Sequence, residues 1–137
     1  MLIVTGFDGS PSAAAALRRA DLFASSLNAD HHVVMVAHVA PIEFAAMANP
    51  YQVDMYAIEE ERLMEAYTGV QPDLKTEPKL TLVRGNPVLE ISAYASEHDA
   101  DLIVVGSRGR GAVATVLLGS TSHGLLWRTQ TDVLVVR

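Results

Sequence analysis

The sequence predicts a single α/β domain, covering residues 1–137, built on a doubly wound parallel sheet of about five strands. The main observation is that short apolar runs alternate with segments of helical spacing. Half of the 137 residues are hydrophobic and only 6% are aromatic, so we expect one core made mainly of Ala, Val, Leu and Ile. The strand-like runs cover residues 2–6, 32–39, 79–84, 101–105 and 132–137.

The first helix follows the first strand after a short loop. Ser10 is expected to cap it, and Pro11 is expected at its first position, where the missing N–H of proline costs nothing. Residues at helical spacing predict its two faces. The buried face is expected to hold Leu17, Ala20, Ala24 and Leu27, and the face toward water Arg18, Arg19 and Asp21.

The middle of the chain is less regular. Residues 32–39 are almost continuously apolar, which is typical of a strand covered on both faces. Residues 42–56 show no sustained period, and residues 69–78, with two prolines and a glycine, are interpreted as a loop. The Glu-rich segment 58–67 predicts an exposed helix, in which Glu59-Glu60-Glu61 is expected to be a solvated face.

The second half of the chain repeats the alternation. Residues 79–84 alternate in polarity, as expected for a strand near a sheet edge. Asn86 is expected to cap the following helix, with Pro87 at its first position. A last helix is predicted within residues 120–128, before the final strand.

Several classes of function are disfavoured by composition. There are no cysteines, which excludes disulfides and thiolate metal sites. A formal charge of −6 disfavours nucleic acid as the main partner. No run approaches the roughly 20 apolar residues of a membrane span, so a cytoplasmic protein without membrane association is expected. The five histidines include no pair at the i, i+4 spacing of a zinc motif and are interpreted as structural or exposed.

The stretch Gly106-Ser107-Arg108-Gly109 follows an apolar strand, and nine residues separate Gly109 from Gly119-Ser120. A strand that ends in a glycine-rich loop can bring backbone amides up to a phosphate. The alternative is that these glycines only shape turns and that Ser120 is an ordinary helix cap.

These motifs resemble those of the universal stress protein family. Its nucleotide-binding members carry Gly-x2-Gly-x9-Gly followed by Ser or Thr, which the stretch from Gly106 to Ser120 matches in full. Asp8-Gly9-Ser10, His38-Val39 and Gly85-Asn86-Pro87 are similar to further family motifs. The resemblance implies the strand order 3-2-1-4-5. The first and fourth strands then flank the switch point at which open α/β sheets bind ligands.

The site residues follow from this placement. Gly106 and Gly109 would let the backbone approach ribose and phosphate, and the amides of Ser107, Arg108, Arg110 and Gly111 would contact phosphate oxygens. Gly119, Ser120, Thr121 and Ser122 would offer the positive end of the last helix to an anion. By resemblance, Gly6 and the backbone of Val39 and Val105 would frame the adenine.

Three of these side chains have alternative interpretations. Asp8 would lie on the opposite lip, near the ribose or an indirectly held Mg²⁺, or would be an ordinary turn aspartate. Arg108 and Arg110 would either clamp phosphates or be solvated.

The resemblance implies an ATP-binding protein of the stress response, a nucleotide-dependent sensor or switch, with ADP or AMP as other ligands. It also implies a homodimer paired through residues 132–137, an apolar edge strand. No P-loop lysine is present to stabilise a transferred phosphoryl group, so binding is favoured over efficient catalysis. A slow Mg-dependent ATP hydrolase and a structural dimer with an empty crevice remain as alternatives.

Overall fold

A computed structural model describes residues 1–40, 54–110 and 118–137. Most of the irregular segment 42–56 lies outside these ranges. The strands are β1 (Leu2–Gly6), β2 (Asp30–Ala37), β3 (Lys79–Arg84), β4 (Leu102–Gly106) and β5 (Asp132–Val136). The helices are α1 (Pro11–Leu27), α2 (Met55–Val70), α3 (Pro87–Glu97) and α4 (Ser120–Arg128), and a 3₁₀ turn at Gln71–Asp73 follows α2.

The five strands form one sheet in the order β3-β2-β1-β4-β5, and every neighbouring pair is parallel. This confirms the predicted doubly wound sheet and its strand order. The chain leaves β1 toward β2 on one side, whereas β4 adds on the other side of β1. Loops after β1 and β4 therefore diverge, and a crevice opens between the carboxyl ends of these strands.

Helices cover both faces of the sheet because neighbouring strand residues point to opposite sides. Ile3 packs with Ala16 and Ala20 of α1, whereas the next residue, Val4, packs with Ile91 of α3. Leu63 and Tyr67 of α2 extend the first face, and Leu125 of α4 extends the second. Burying each large aliphatic side chain contributes roughly 1.5–3 kcal/mol, so the two faces together hold the sheet that positions the crevice.

The helix caps predicted at Ser10 and Asn86 are confirmed, whereas α2 begins at Met55, three residues before the predicted start at residue 58. The Ser10 side chain accepts a hydrogen bond from the amide of Ala13, with Pro11 next in the chain, and Asn28 caps the end of α1 in a left-handed conformation. The Asn86 side chain accepts from two amides of α3, whose first residue is Pro87. The last helix spans residues 120–128 as predicted.

Two assignments on α1 were wrong. Leu27 is 57% exposed, because the helix ends there and the sheet no longer covers it. Asp21 is only 3% exposed. Its carboxylate accepts hydrogen bonds from the amides of Lys75 and Thr76 and from the Thr76 hydroxyl. These partners lie 54 and 55 residues away, so helical periodicity could not reveal them.

Some boundaries also differ from the prediction. Strand β2 begins at Asp30, because its pairing with β1 starts there, and it ends before His38. Helix α2 extends to Val70, into the segment interpreted as a loop. Strand β3 lies at the sheet edge, as its alternating polarity predicts. Within the described ranges, no helix combines the length and the apolar character needed to cross a membrane.

Candidate functional site

A cavity of about 210 Å³ opens at the carboxyl ends of β1 and β4, at the predicted switch point. Its floor is apolar, with Val36, Ile91 and Val105 among the lining residues. The first residues of α4 and the loop after β4 form one wall. Asp8 and Glu59 lie on its rim, so the cavity joins an apolar surface to a charged, amide-rich edge.

Gly106 and Gly119 both lie close to backbone atoms of neighbouring segments. A Cβ added at Gly106 would lie 2.6 Å from the backbone nitrogen of Ala13, so β4 approaches α1 more closely than any side chain would allow. A Cβ at Gly119 would lie 3.1 Å from the nitrogen of Gly109. The close approach of α1 therefore explains the glycine at position 106, and this reason is separate from the predicted approach of the backbone to a ligand.

Two serines of the first loop and α1 anchor the loop after β4. The Ser10 and Ser12 hydroxyls donate to the carbonyl oxygen of Arg108 at 3.1 and 2.5 Å, and the Arg108 amide is within 3.2 Å of the Ser12 hydroxyl. Sequence reasoning missed this role of Ser12. Its partner is 96 residues away, and no local motif marks it.

The N-terminus of α4 leaves its first amides unpaired. Gly119 is the N-cap and offers no side chain, so the alternative in which Ser120 caps the helix was wrong. The first bond at this end joins the amide of His123 to the carbonyl oxygen of Gly119. The amides of Ser120, Thr121 and Ser122 have no partner among the described residues, and all three residues line the cavity. Unpaired amides at a helix N-terminus attract an anion.

Amides in the loop after β4 are partly occupied. The Ser107 amide donates to the carbonyl oxygen of Val136 at 2.7 Å, and Ser107 is buried outside the cavity lining. Its predicted contact with phosphate is therefore wrong, because the amide bonds β5. The Arg108 amide is engaged by Ser12, whereas the Gly109 amide has no partner within the described part of the chain.

Asp8 forms an aspartate turn and also lines the cavity. Its Oδ1 accepts a hydrogen bond from the Ser10 amide at 2.9 Å, as in an ordinary aspartate turn. Its Oδ2 lies 3.2 Å from the position of a Cβ added at Gly109, so the carboxylate faces the glycine loop across the cavity.

The prediction that Glu59 belongs to a solvated face of α2 was wrong. Its side chain is 14% exposed, lines the cavity and pairs with both Arg62 and Arg110. Burial acts to raise the pKa of Glu59, but the hydrogen bond from Arg62 and the charge of Arg110 hold that pKa below its ordinary value. Its neighbour Glu60 pairs instead with Arg84, and Glu61 is exposed.

The structure brings most of the predicted residues together. Val39 is buried but does not line the cavity, and Gly111 lies outside the described residues. Pro87 and His38 add to the lining without having been predicted, and His38 Nδ1 lies 3.0 Å from the carbonyl oxygen of Gly85. The predicted residues that line the cavity are Gly6, Asp8, Val105, Gly106, Arg108, Gly109, Arg110, Gly119, Ser120, Thr121 and Ser122.

Comparison with known proteins gives consistent matches along the chain. A universal stress protein of Mycolicibacterium smegmatis is 33% identical over 141 residues, which cover 98% of this chain and 47% of that protein. The chain thus spans about half the length of this relative.

Solved structures match the whole fold. The universal stress protein UspA from Lactobacillus plantarum has a TM-score of 0.83 at 24% identity and covers 100% of this chain and 97% of its own. A universal stress protein in complex with cAMP has a TM-score of 0.72 at 29% identity, again covering 100% and 97%. The model of the universal stress protein family matches residues 1–137. The chain belongs to the universal stress protein family.

Proposed function

We propose that this protein binds an adenine nucleotide in the cavity between β1 and β4 and acts in the cytoplasm as a nucleotide-dependent sensor or switch of the stress response. One observation carries the proposal: three amides at the N-terminus of α4, without a partner in the described part of the chain, edge a cavity with an apolar floor. Free amides at the positive end of a helix attract an anion, so a ligand that supplies anionic oxygen is the partner that suits them.

An adenine nucleotide fits this arrangement in two parts. Its phosphate accepts hydrogen bonds from the amides of Ser120, Thr121 and Ser122, where the helix end is positive. Its base lies over the apolar floor that includes Val36, Ile91 and Val105. Asp8 faces the glycine loop and accepts from a ribose hydroxyl. The relative in complex with cAMP supports adenine as the base.

ATP is the proposed ligand, and ADP and AMP share the groups by which the site would recognise it. Asp8 has one carboxylate oxygen not engaged by the Ser10 amide, and Glu59 is committed to arginines. Mg²⁺ usually takes one or two carboxylates together with phosphate oxygens and water. Asp8 therefore suits indirect contact with a Mg²⁺ that the phosphates hold, and the ion would neutralise their charge.

We also propose that the protein is a homodimer paired through residues 132–137. Among residues 1–40, 54–110 and 118–137, strand β5 pairs only with β4, and its residues Val133 to Val136 are half-buried and apolar. An open apolar edge of this kind favours pairing with a second copy. Sedimentation velocity at micromolar concentration tests this: a species of twice the 14.7 kDa chain mass is expected, and a monomer would contradict it.

Mass spectrometry of small molecules released from the purified protein tests the nucleotide proposal directly. We expect an adenine nucleotide in the released fraction. Nucleotide-free protein should then gain about 2.7 kcal/mol of stability at ligand concentrations 100 times the dissociation constant. Thermal melting that does not change with millimolar Mg·ATP, ADP or AMP would contradict the proposal and favour a structural dimer with an empty crevice.

A turnover assay separates a switch from a slow hydrolase. With Mg·ATP, the wild type and a Gly109→Val variant are compared, because a side chain at Gly109 would press on Asp8. Equal background rates are expected for a switch. A wild-type rate well above that of the variant would support hydrolysis instead.

A further inference from the structure

One carboxylate on the cavity rim is shared by two arginines. Both oxygens of Glu59 accept hydrogen bonds from Arg62, from Nε and Nη2, each at 2.9 Å. The Nη2 atom of Arg110 donates to the same Oε1 that Arg62 Nη2 contacts. Glu59 therefore has a complete two-point partner in Arg62 and an additional one in Arg110.

The two arginines differ in how firmly they are held. Arg62 also donates from Nη2 to the carbonyl oxygen of Asp8 at 2.9 Å, and its side chain is 30% exposed. Arg110 has Glu59 as its only ion-pair partner within the described residues, and its side chain is 45% exposed. If Arg110 leaves, Glu59 keeps its two hydrogen bonds to Arg62 and its charge stays compensated. Arg110 is the exchangeable partner.

We propose that Glu59 competes with the ligand's phosphates for Arg110 and thereby sets how strongly the site distinguishes nucleotides by their number of phosphates. The inference rests on the proposed nucleotide binding and adds to it a specificity-determining residue on α2. Arg110 pairs with Glu59 in the empty site. A nucleotide whose outer phosphates reach the rim takes Arg110 over, and the arginine exchanges one oxyanion for another.

The geometry gives Glu59 a second effect on the same ligands. Its carboxylate lines the cavity at 14% exposure, where charges are screened less than in water. It therefore repels each additional phosphate while it withholds Arg110. Both effects are absent for a ligand without phosphate. Glu59 consequently lowers the affinity for ATP relative to that for adenosine. The site binds ATP more weakly than its amides and arginines alone would allow.

Affinities for adenosine, AMP, ADP and ATP, measured by calorimetry at one ionic strength without Mg²⁺, test the proposal in the full-length protein. The variant is Glu59→Gln, whose amide oxygen can still accept one hydrogen bond from Arg62 but which loses the charge. The matched control is Glu60→Gln, since the adjacent Glu60 pairs with Arg84 and does not line the cavity. We expect Glu59→Gln to raise ATP affinity about tenfold, AMP affinity less, and adenosine affinity within twofold of wild type. Glu60→Gln should change none of them.

A second variant keeps the test valid if Glu59→Gln does not fold. Arg110→Gln alters a side chain that is 45% exposed and should fold like wild type. It is expected to lower the ratio of ATP to adenosine affinity, and in the double variant to reduce the gain of Glu59→Gln to the part that comes from the lost repulsion.

Three outcomes would overturn the inference. An equal change for adenosine and ATP, or a loss of ATP affinity in Glu59→Gln, would contradict it while nucleotide binding stands. Failure of the wild type to bind any of the four ligands would contradict the proposed function itself.

Discussion

Two polar regions of this protein contrast sharply. Beside the start of β2, the side chains of Asp21, Thr76, His31 and Thr5 contact one another in that order, and we call this chain of polar contacts the Asp21 network. At the carboxyl ends of β1 and β4, the amides at the start of α4 have no partner among the described residues. Polar groups that satisfy one another contribute to stability, whereas a cavity edged by unsatisfied amides is equipped to bind.

The Asp21 network is closed around a neutral histidine. Thr76 donates its hydroxyl proton to Asp21 at 2.6 Å, so its oxygen can accept from His31 Nδ1, while Thr5 Oγ1 lies 2.9 Å from His31 Nε2. Burial, only partly offset by the charge of Asp21, lowers the pKa of His31 to about 4. The ring is therefore uncharged at neutral pH, and each of its nitrogens faces a threonine hydroxyl.

The largest expected effect breaks the closed network. Asp21→Ala leaves the Lys75 and Thr76 amides without their acceptor, and a hydrogen bond to a charged group contributes about 1.5–3 kcal/mol. We expect a loss of about 4 kcal/mol in the free energy of unfolding, measured with urea. The control is Asp73→Ala, which removes an exposed pair with Arg18 and should cost less than about 1 kcal/mol. Similar losses of unfolding free energy in the two variants would show that the Asp21 network is no more stabilising than an exposed ion pair.

The next effect appears on acidification. The unfolded state binds a proton at His31 near pH 6.5, whereas the folded state binds it only near pH 4. Stability is therefore lost as pH falls from 6.5 to 4, by about 3 kcal/mol in total. In His31→Gln this contribution is absent, so the stability difference between wild type and variant should shrink by that amount between pH 7 and pH 4. A difference that is independent of pH would show that His31 titrates normally.

A smaller effect concerns the wall of the cavity. Gly106→Ala would place a Cβ against the backbone of α1, and we expect a loss of about 2 kcal/mol in thermal or urea unfolding. Gly69→Ala is the matched control: it lies in α2, with no atom within 4 Å of the added Cβ, and should raise stability by about 0.5–1 kcal/mol. If Gly106→Ala is as stable as wild type, the close approach of β4 and α1 is not required.

The strand order and the place of the cavity were predicted from the resemblance to the universal stress protein family. The sequence by itself predicted the alternating strands and helices and the helix caps, because these depend on local periodicity and on residues near in the chain. Ser10 before Pro11 and Asn86 before Pro87 are examples. It could not predict the partners of Asp21, Ser12 or Glu59. Each bonds a residue about 50 to 100 positions away, and the helical pattern around it reads as an ordinary water-facing surface. The prediction for Ser107 was wrong for the same reason, because its amide donates to the last strand.

The central claim is that the unpaired amides of α4 bind phosphate, and Ser120→Pro tests it most directly. Proline is favoured at the first position of a helix, and Gly119 already has the extended backbone that precedes proline, so the variant should fold as stably as wild type. It loses one amide, while Ser120→Ala keeps the amide and loses only the hydroxyl. We expect calorimetry to show AMP affinity about tenfold lower in Ser120→Pro, from one lost hydrogen bond to a charged group, and a smaller change in Ser120→Ala. Equal AMP affinity in wild type and Ser120→Pro would contradict the claim.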